Sequence, residues 1–209
     1  MRVYRFVLGQ LQTNCYFLID QSDNALIIDP ADSGEFLSEK IIQLKLKPEA
    51  ILLTHGHFDH ILACFELQQN FDLKIYSHTA DKFLIERAAE SAEYFLGKTV
   101  VFIPPKIEYF NTQPKFNSTF NFKTFHTPGH TPGSCSYYFP QEKLLFSGDV
   151  VFKNAVGRWD FSYSNKKLLY QSLIKLNRLD PNTVIYPGHG ETATVSNIPY
   201  LLSAFFKRV

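Results

Sequence analysis

Short apolar runs alternate with polar turns along the first quarter of the chain. Val3–Leu8, Cys15–Ile19 and Ala25–Ile28 are such runs, and polar or turn-forming residues separate them. Apolar runs of this length between turn signals are typical of β-strands. We therefore expect three antiparallel strands, followed by a short buried strand at Ile51–Leu53.

Several longer stretches carry apolar residues at near-helical spacing and predict helices. The first is Ser33–Leu46, with Ser33 in position to cap its start and Pro48 in position to stop it. The others are His60–Asn70, Thr79–Leu96, Asn165–Leu179 and Ser196–Lys207.

Further apolar runs predict strands at Leu73–Tyr76, Phe120–Phe125, Ser136–Phe139, Lys143–Phe146 and Thr183–Tyr186. Strands dominate each half and helices lie between them, which favours an α/β (α+β) sandwich with its helices outside. The chain has 209 residues and shows no internal repeat or linker. We expect a single domain over residues 1–209.

The amino-acid composition argues against two classes of binding partner. The 21 basic and 20 acidic residues nearly cancel, so we expect neither nucleic acid nor a membrane as a partner. No apolar run reaches the roughly 18 residues of a membrane span, and the first residues lack the features of a signal peptide. The three cysteines are widely spaced and form no CxxC motif, which favours the reducing cytoplasm. The sequence does not predict the oligomeric state of the protein.

The segment after the strand at Ile51–Leu53 is unusually rich in metal ligands. His55, His57, Asp59 and His60 fall within six residues, and histidine and carboxylate are preferred ligands of zinc and similar divalent metals. Alternate residues of an extended chain share a face, so His55 and His57 can point the same way. Asp59 and His60 fall at the next turn and can face a second position, which predicts two adjacent metal sites.

Three other predicted strands also end in a glycine-containing turn that carries histidine or aspartate. The turns are His126-Thr-Pro-Gly-His130-Thr-Pro-Gly, Ser147-Gly148-Asp149 and Pro187-Gly188-His189-Gly190. Glycine allows close backbone approach and positive φ. If these strand ends share one edge, their polar side chains meet in one cleft, the usual build of a functional site.

These motifs together resemble the metallo-β-lactamase superfamily. Within it, the HxHxDH loop, the HTPGHTPGS segment, the SGD and the YPGHG are similar to those of glyoxalase-II-like hydrolases, in length the short, single-domain members. The resemblance covers about residues 11–201. It implies a four-layer αββα sandwich and a two-metal centre, with zinc as the first choice of divalent metal and iron or manganese as alternatives.

The family's motifs imply which residues bind each metal. One metal would be held by His55, His57 and His130, and the other by Asp59, His60 and His189, while Asp149 would bridge both. Two metals about 3.5–4 Å apart can share a hydroxide at neutral pH. Asp59 would also act in catalysis by hydrogen-bonding this nucleophile and helping to move its proton.

The remaining histidines and cysteines are interpreted as structural. We expect His126 to bond to backbone at a strand end and His78 to have a capping or surface role. Cys15, Cys64 and Cys135 are interpreted as packing residues, with a redox role or an indirect role at the metal site as the alternative for Cys64 and Cys135.

Asp29 ends the third predicted strand, and we consider two alternative roles for it. It either orients a ligand histidine or forms a turn before Pro30. The family commonly has glycine two residues after this aspartate, where this chain has Ala31.

Substrate contacts are predicted near a Gly-Arg segment that resembles one in these hydrolases. Lys153 and Arg158 would meet a substrate carboxylate, or Arg158 would instead form a salt bridge with Asp160. Trp159, Phe161 and Tyr163 would wall a hydrophobic pocket or belong to the core. Glyoxalase II also owes much glutathione recognition to a basic helical C-terminal extension. Here only Lys207 and Arg208 remain, so we do not expect recognition in that form.

The resemblance leaves three activities open. The first is hydrolysis of small-molecule acyl thioesters, as by hydroxyacylglutathione hydrolase. The second is a persulfide dioxygenase with one iron, since those enzymes carry a similar HxHxDH and Gly-Arg segment. The third is hydrolysis of a lactone, β-lactam, other ester or phosphodiester, although secreted β-lactamases need a signal peptide and lack a bridging carboxylate at the Asp149 position. A non-enzymatic binding module would leave the ligand set without a role.

Overall fold

The computed structural model of the protein describes residues 1–206, which form two β-sheets and six α-helices. The chain divides into two compact units, one from Met1 to Phe120 and one from Asn121 onward. Each unit contains one of the sheets. Within the described residues, no helix is long and apolar enough to cross a membrane. The single-domain organisation remains a prediction.

The first unit is built on a six-stranded sheet whose strands follow chain order. The strands are β1 Arg2–Leu8, β2 Thr13–Ile19, β3 Asn24–Ile28, β4 Lys47–Leu52, β5 Lys74–His78 and β6 Ile107–Phe110. β1 to β3 are antiparallel as predicted, and β3 to β6 are parallel. Every residue of β2 is buried, and its alternate residues Cys15, Phe17 and Ile19 belong to the hydrophobic core of the first unit.

The helices of the first unit are α1 Gly34–Gln43, α2 Cys64–Phe71, α3 Lys82–Glu86 and α4 Ala88–Leu96. The prediction that Pro48 stops α1 was wrong, since Pro48 lies within β4. Lys45 ends α1 by taking a φ of 54°, while the Leu46 amide bonds back to the Ile41 carbonyl. Ser33 occupies the N-cap position of α1, but its side chain makes no capping bond.

The helix predicted from His60 begins later, at Cys64. Phe58–His60 forms a single 3₁₀ turn, in which the His60 amide bonds to the His57 carbonyl. This turn keeps the end of the HxHxDH loop outside the α-helix. The loop side chains therefore project from a tight turn rather than from successive helical positions.

The second unit is built on a five-stranded sheet with the order β11-β10-β9-β8-β7. The strands are β7 Lys123–His126, β8 Cys135–Phe139, β9 Leu144–Gly148, β10 Val184–Pro187 and β11 Ala193–Thr194. β9 and β10 are parallel, and the other pairs are antiparallel. The helices are α5 Lys166–Leu176 and α6 Ile198–Phe206, so Lys207, predicted to be helical, and Arg208 lie outside the described residues.

The strand directions explain where the predicted ligands fall within each unit. In the first sheet, the carboxyl ends of parallel strands β3 and β4 meet at one edge, and they lead into Asp29 and the HxHxDH loop. In the second sheet, β7, β9 and β10 run in the same direction. Their carboxyl ends lead into the loops that carry His130, Asp149 and His189.

Candidate metal centre

A buried carboxylate organises the ligand loop of the first unit. Asp29 Oδ1 accepts a hydrogen bond from the Thr54 amide at 2.7 Å, and Oδ2 accepts from Thr54 Oγ1 at 2.6 Å. The same Oδ2 lies 2.9 Å from His60 Nδ1. Asp29 itself has a φ of 51°, a conformation that aspartate adopts more readily than most residues. Asp29 therefore orients a predicted ligand histidine, which is the first of the two roles considered from the sequence.

These bonds determine which nitrogen of each histidine carries the proton. His60 Nδ1–H donates to the Asp29 carboxylate, which leaves the lone pair on Nε2. The single hydroxyl proton of Thr54 is donated to Asp29, so Thr54 Oγ1 accepts from His55 Nδ1–H at 3.0 Å. His55 consequently also carries its lone pair on Nε2. Both histidines are held in a tautomer that can bind a metal through Nε2.

His55 and His57 bring two ring nitrogens together. His55 Nε2 lies 3.0 Å from His57 Nδ1. Two nitrogens on one tetrahedral zinc, each at about 2.0–2.1 Å, are separated by about 3.3 Å. The observed spacing is close to that of two ligands on one metal, and it agrees with the prediction that these residues face the same position.

Asp59 is held by a residue from the preceding hairpin. Thr13 Oγ1 donates to Asp59 Oδ2 at 2.7 Å, and the same oxygen lies 3.5 Å from His60 Nε2. The Asp59 side chain is 12% exposed, while that of His60 is completely buried. The carboxylate is thus held beside His60 and remains partly open to solvent.

Gly56 is required at the centre of the loop for steric reasons. A Cβ at this position would lie 2.9 Å from the carbonyl oxygen of Asp81, closer than real Cβ atoms approach. The Gly56 amide donates to Asp81 Oδ2 at 2.9 Å. The residue between His55 and His57 is therefore tied to the buried Asp81.

The second unit places one carboxylate between two histidines. Asp149 Oδ2 lies 3.6 Å from His130 Nε2 and 3.5 Å from His189 Nε2. His130 Nδ1–H donates to the carbonyl oxygen of Arg158 at 3.0 Å, which leaves its lone pair on Nε2. Ser164 Oγ donates to the His130 carbonyl oxygen at 2.6 Å and restrains its backbone.

Two glycines permit this arrangement by close approach. A Cβ on Gly157 would lie 1.8 Å from the Asp149 carbonyl oxygen and 3.3 Å from His130 Cβ. Gly129 has a φ of 139°, and a Cβ there would lie 2.3 Å from the backbone nitrogen of Leu169. The Gly-Arg segment thus supports His130 and Asp149 through its backbone, whatever the role of the Arg158 side chain.

The donor sets of both units have the chemistry of metal ligands. In the first unit, ligand atoms of Asp29, His55 and His60 all lie within 4.8 Å of one another. Asp29 already accepts three hydrogen bonds, which suits a residue that orients the predicted ligands His55 and His60. The predicted ligands combine neutral imidazole nitrogens with carboxylate oxygens, which suits zinc, iron or manganese.

The other sequence-predicted residues have structural partners. His126 Nε2 bonds to the Pro132 carbonyl at 2.8 Å, as expected for a strand end bonded to backbone. His78 Nδ1 accepts from the Ala80 amide at 3.2 Å, which confirms its capping role. The three cysteines form no disulfide with one another and are fully buried. Burial raises the pKa of the Cys15 and Cys64 thiols, as does the nearby charge of Asp29 to a smaller extent.

The predicted substrate contacts lie on the exposed side of the second unit and are paired. Arg158 makes two hydrogen bonds to Asp160, at 2.9 and 3.0 Å, which hold the pKa of that carboxyl below its usual value. This is the predicted salt bridge. Lys153 Nζ bonds to Glu191 Oε2 at 2.5 Å.

The three aromatic residues near the Gly-Arg segment, Trp159, Phe161 and Tyr163, make different contacts. Trp159 lines a shallow apolar cavity with Phe205 of α6, whereas the Phe161 ring is stacked on that of Tyr163. Phe161 also meets the His130 ring edge-on, with ring centroids 5.9 Å apart. Trp159 thus agrees with the prediction that it lines a hydrophobic pocket. Phe161 packs beside the predicted ligand His130.

Several residues that hold the ligands were not identified from sequence. They are Thr13, Thr54, Ser164 and the carbonyl of Arg158. Only Thr54 carries a usable signal, as a hydroxyl directly before the ligand loop. The others lie far along the chain from the ligands that they support.

Comparison with known proteins places the chain in a family. Residues 8–189 match the family model of the metallo-beta-lactamase superfamily. The chain belongs to this superfamily and is a metallo-hydrolase. The predicted fold class, with two sheets and flanking helices of the metallo-β-lactamase type, is confirmed.

Individual relatives are similar over most of their length. The chain is 38% identical over 189 residues to hydroxyacylglutathione hydrolase GloC of Haemophilus influenzae, covering 88% of each protein. Its fold matches the crystal structure of the BLEG-1 B3 metallo-β-lactamase with a TM-score of 0.88 at 35% identity, over 96% of this chain and 99% of that one. A crystal structure of TTHA1623 in a di-iron-bound form gives a TM-score of 0.85 at 35% identity, with coverages of 95% and 98%.

Proposed function

We propose that the protein is a dinuclear metal-dependent hydrolase that cleaves small acyl thioesters, as glyoxalase II does. The observation that carries this proposal is the position of Asp149. One of its oxygens lies within 3.6 Å of two different histidine nitrogens, those of His130 and His189. The family assigns these histidines to different metals, so a single carboxylate beside both is in position to bridge two ions.

We assign the ligands by the motifs of the superfamily. The set is His55, His57 and His130 for one metal, Asp59, His60 and His189 for the other, and Asp149 for both. The fixed tautomers of His55, His60 and His130 support this assignment, because each leaves Nε2 able to bind a cation. Within the first unit, the 3.0 Å spacing of His55 and His57 supports a shared metal.

Bound metals of this kind lower the pKa of water toward about 7 and polarise a carbonyl group. The chain's own residues orient the reacting groups. Thr13 holds Asp59 Oδ2, which directs this carboxylate to accept a proton from the attacking water and pass it on. In the reaction, a C–O bond forms at the acyl carbon, the C–S bond breaks and the thiol leaves with a proton.

The thioester specificity is supported by the similarity to a hydroxyacylglutathione hydrolase. We propose zinc as the metal, with iron as the alternative that the similarity to a di-iron protein supports. Lys153 and Arg158 are proposed to bind a substrate carboxylate. Their present ion pairs are with exposed partners and cost little to exchange. Three buried free cysteines suit a cytoplasmic location.

The test combines metal content with thiol release. Purified protein is analysed for zinc, iron and manganese, and then assayed on S-D-lactoylglutathione. About two metals per chain with thiol release is the expected result. Two metals without release would contradict the thioester specificity and direct the search to lactones and other esters. One iron per chain with oxygen uptake on a persulfide would replace the hydrolase with a dioxygenase.

A matched pair of histidine variants tests the site itself. His189→Ala removes a proposed ligand, whereas His126→Ala removes a histidine of the same unit whose ring bonds to the Pro132 carbonyl. We expect His189→Ala to lose metal and activity and His126→Ala to retain both. Equal losses in the two variants would contradict the ligand assignment.

A further inference from the structure

A small cleft opens beside Asp59 in the first unit. It has a volume of about 40 Å³, and Asp59 forms part of its lining. Its walls come from four separate segments: the turn between β1 and β2, Ala31 and Asp32 after β3, the HxHxDH loop with Leu62, and the end of α4. The cleft is therefore a tertiary feature that no single motif predicts.

Apolar and polar residues both line the cleft. Leu8, Leu11, Phe58, Leu62 and Leu96 supply its large apolar side chains. These residues present hydrocarbon to a ligand, as is usual in small-molecule pockets.

The polar residues that line the cleft are Gln10, Thr13, Asp32, Asp59 and Lys98. Gln10 and Lys98 are exposed and stand at its rim. Asp32 also lines the cleft, but its carboxylate is bonded to the Ser33 amide next to it. The large apolar side chains thus offer contacts to the hydrocarbon of a short acyl group, and the polar residues accommodate its oxygen atoms.

A turn hydrogen bond and a ring contact restrain parts of the cleft lining. Gly9 has a φ of 70°, and the Gln12 amide closes the turn by bonding to the Gly9 carbonyl at 3.2 Å. Phe58, which lines the cleft, has its ring stacked on that of Phe95 of α4, with centroids 6.1 Å apart. Two parts of the lining are thus restrained by contacts within the unit.

The volume sets the size of the group that fits. One water-sized atom needs about 10–15 Å³ of such space, so the cleft has room for about three heavy atoms. A lactoyl or butyryl group carries about that many beyond its carbonyl carbon. A hexanoyl group carries about two more and would have to displace a wall.

We propose that this cleft binds the acyl chain of the thioester substrate and selects short acyl groups, with Leu11 and Leu96 as its size-determining residues. The proposal rests on the thioesterase function proposed above. The scissile carbonyl then lies next to Asp59, the acyl chain occupies the cleft, and the thiol portion of the substrate lies outside it.

The experiment measures kcat/KM for a series of glutathione thioesters that differ only in acyl length. Lactoyl, butyryl and hexanoyl thioesters are compared with the metal-loaded wild-type protein. Because one methylene too many in a tight pocket costs about tenfold or more, we expect hexanoyl to be at least about tenfold poorer than butyryl.

Two variants enlarge the cleft and one serves as a control. Leu96→Ala removes a wall from α4, and Leu11→Ala removes a side chain that is 41% exposed, so the second variant should fold even if the first does not. The control is Ile42→Ala on α1, whose side chain is 67% exposed and does not line the cleft. Metal content is measured for all three.

The expected result is a higher hexanoyl-to-butyryl ratio of kcat/KM in Leu96→Ala and Leu11→Ala, by about fivefold or more, with metal content unchanged and Ile42→Ala like wild type. Thiol release that is equal for all acyl lengths would overturn the cleft assignment and leave the thioesterase function standing. So would a length profile that neither leucine variant alters. Release from no thioester at all, with metals bound, would overturn the thioesterase function and this inference with it.

Discussion

His60 Nδ1 lies 2.9 Å from Asp29 Oδ2, and the two side chains are 0% and 2% exposed. The two residues are 31 positions apart in the chain. Because β3 and β4 are parallel, the residues that follow these strands come together at one edge of the sheet. Asp29 also accepts the Thr54 hydroxyl that orients His55, so one carboxylate controls the ring orientation of two proposed ligands.

Asp29→Asn should weaken metal binding without unfolding the protein. The amide keeps the size of the carboxylate but loses the charge that holds the Nδ1–H of His60. Loss of a partner that orients a ligand histidine typically costs 10–100-fold in metal affinity or activity, and we expect an effect of about that size. Metal affinity is measured by competition with a chelator.

Asp72→Asn is the matched control for this variant. Asp72 caps the end of α2 with a φ of 52°, a conformation that asparagine also accepts. We expect its metal affinity to equal that of the wild type. An Asp29→Asn protein that also binds metal as tightly as the wild type would show that Asp29 only forms a turn.

Asp149→Ala should lose at least one metal and most hydrolytic activity. The reason is that Asp149 Oδ2 lies beside both His130 and His189 and is proposed to join the two ions. Metal per chain and thiol release are measured together. Asp180→Ala, which removes an exposed ion pair with Lys143 and a hydrogen bond from the Asn182 amide, should retain both. Two metals in Asp149→Ala would rule out the bridging assignment.

Gly157→Ala should damage the site through the backbone. The added methyl would lie 1.8 Å from the Asp149 carbonyl oxygen, so Asp149 or the Gly-Arg segment must move. Overpacking of this kind typically costs about 1–3 kcal/mol, and we expect a lower melting temperature together with weaker metal binding.

Gly97→Ala is the control for Gly157→Ala, because it adds backbone strain without a steric clash. Gly97 has a φ of 65°, and a Cβ there would meet no atom within 4 Å. Strain from positive φ should cost this variant about 1–2 kcal/mol of stability while its metal affinity stays at the wild-type value. Metal affinity that is unchanged in Gly157→Ala as well would argue against a role for this segment in positioning His130 and Asp149.

Cys64→Ser and Cys135→Ser should leave the metal content intact. Both thiols are fully buried, and burial raises the pKa of Cys64, which disfavours the thiolate form that binds metals. A buried hydroxyl without a good partner lowers stability, so a lower melting temperature is expected. Metal lost from either variant would identify a ligand that we have assigned to packing.

The proposed ligands could be predicted from sequence because their signals are local. A strand, a glycine-containing turn and a histidine or aspartate adjoin one another at each of the predicted loops. The structure confirms that these loops follow strands whose carboxyl ends share an edge within each sheet. Helix boundaries were predicted less well. Ile61 and Leu62 continue the apolar pattern of α2, yet the His60 amide bonds in 3₁₀ fashion and the α-helix begins at Cys64.

The sequence by itself determined most of the strands and helices, the candidate donor residues and the family to which the chain is similar, but not β6, β11 or the division of the predicted helix Thr79–Leu96 into α3 and α4. Hydrophobic periodicity, turn residues and ligand chemistry are properties of short segments, so they can be read without coordinates. The tertiary structure alone decided which nitrogen of His55 and His60 is available, why Gly157 must lack a side chain and which residues line the cleft beside Asp59. Each depends on hydrogen bonds or steric contacts between residues far apart in the chain, and spacing along the sequence does not specify the direction in which such side chains point.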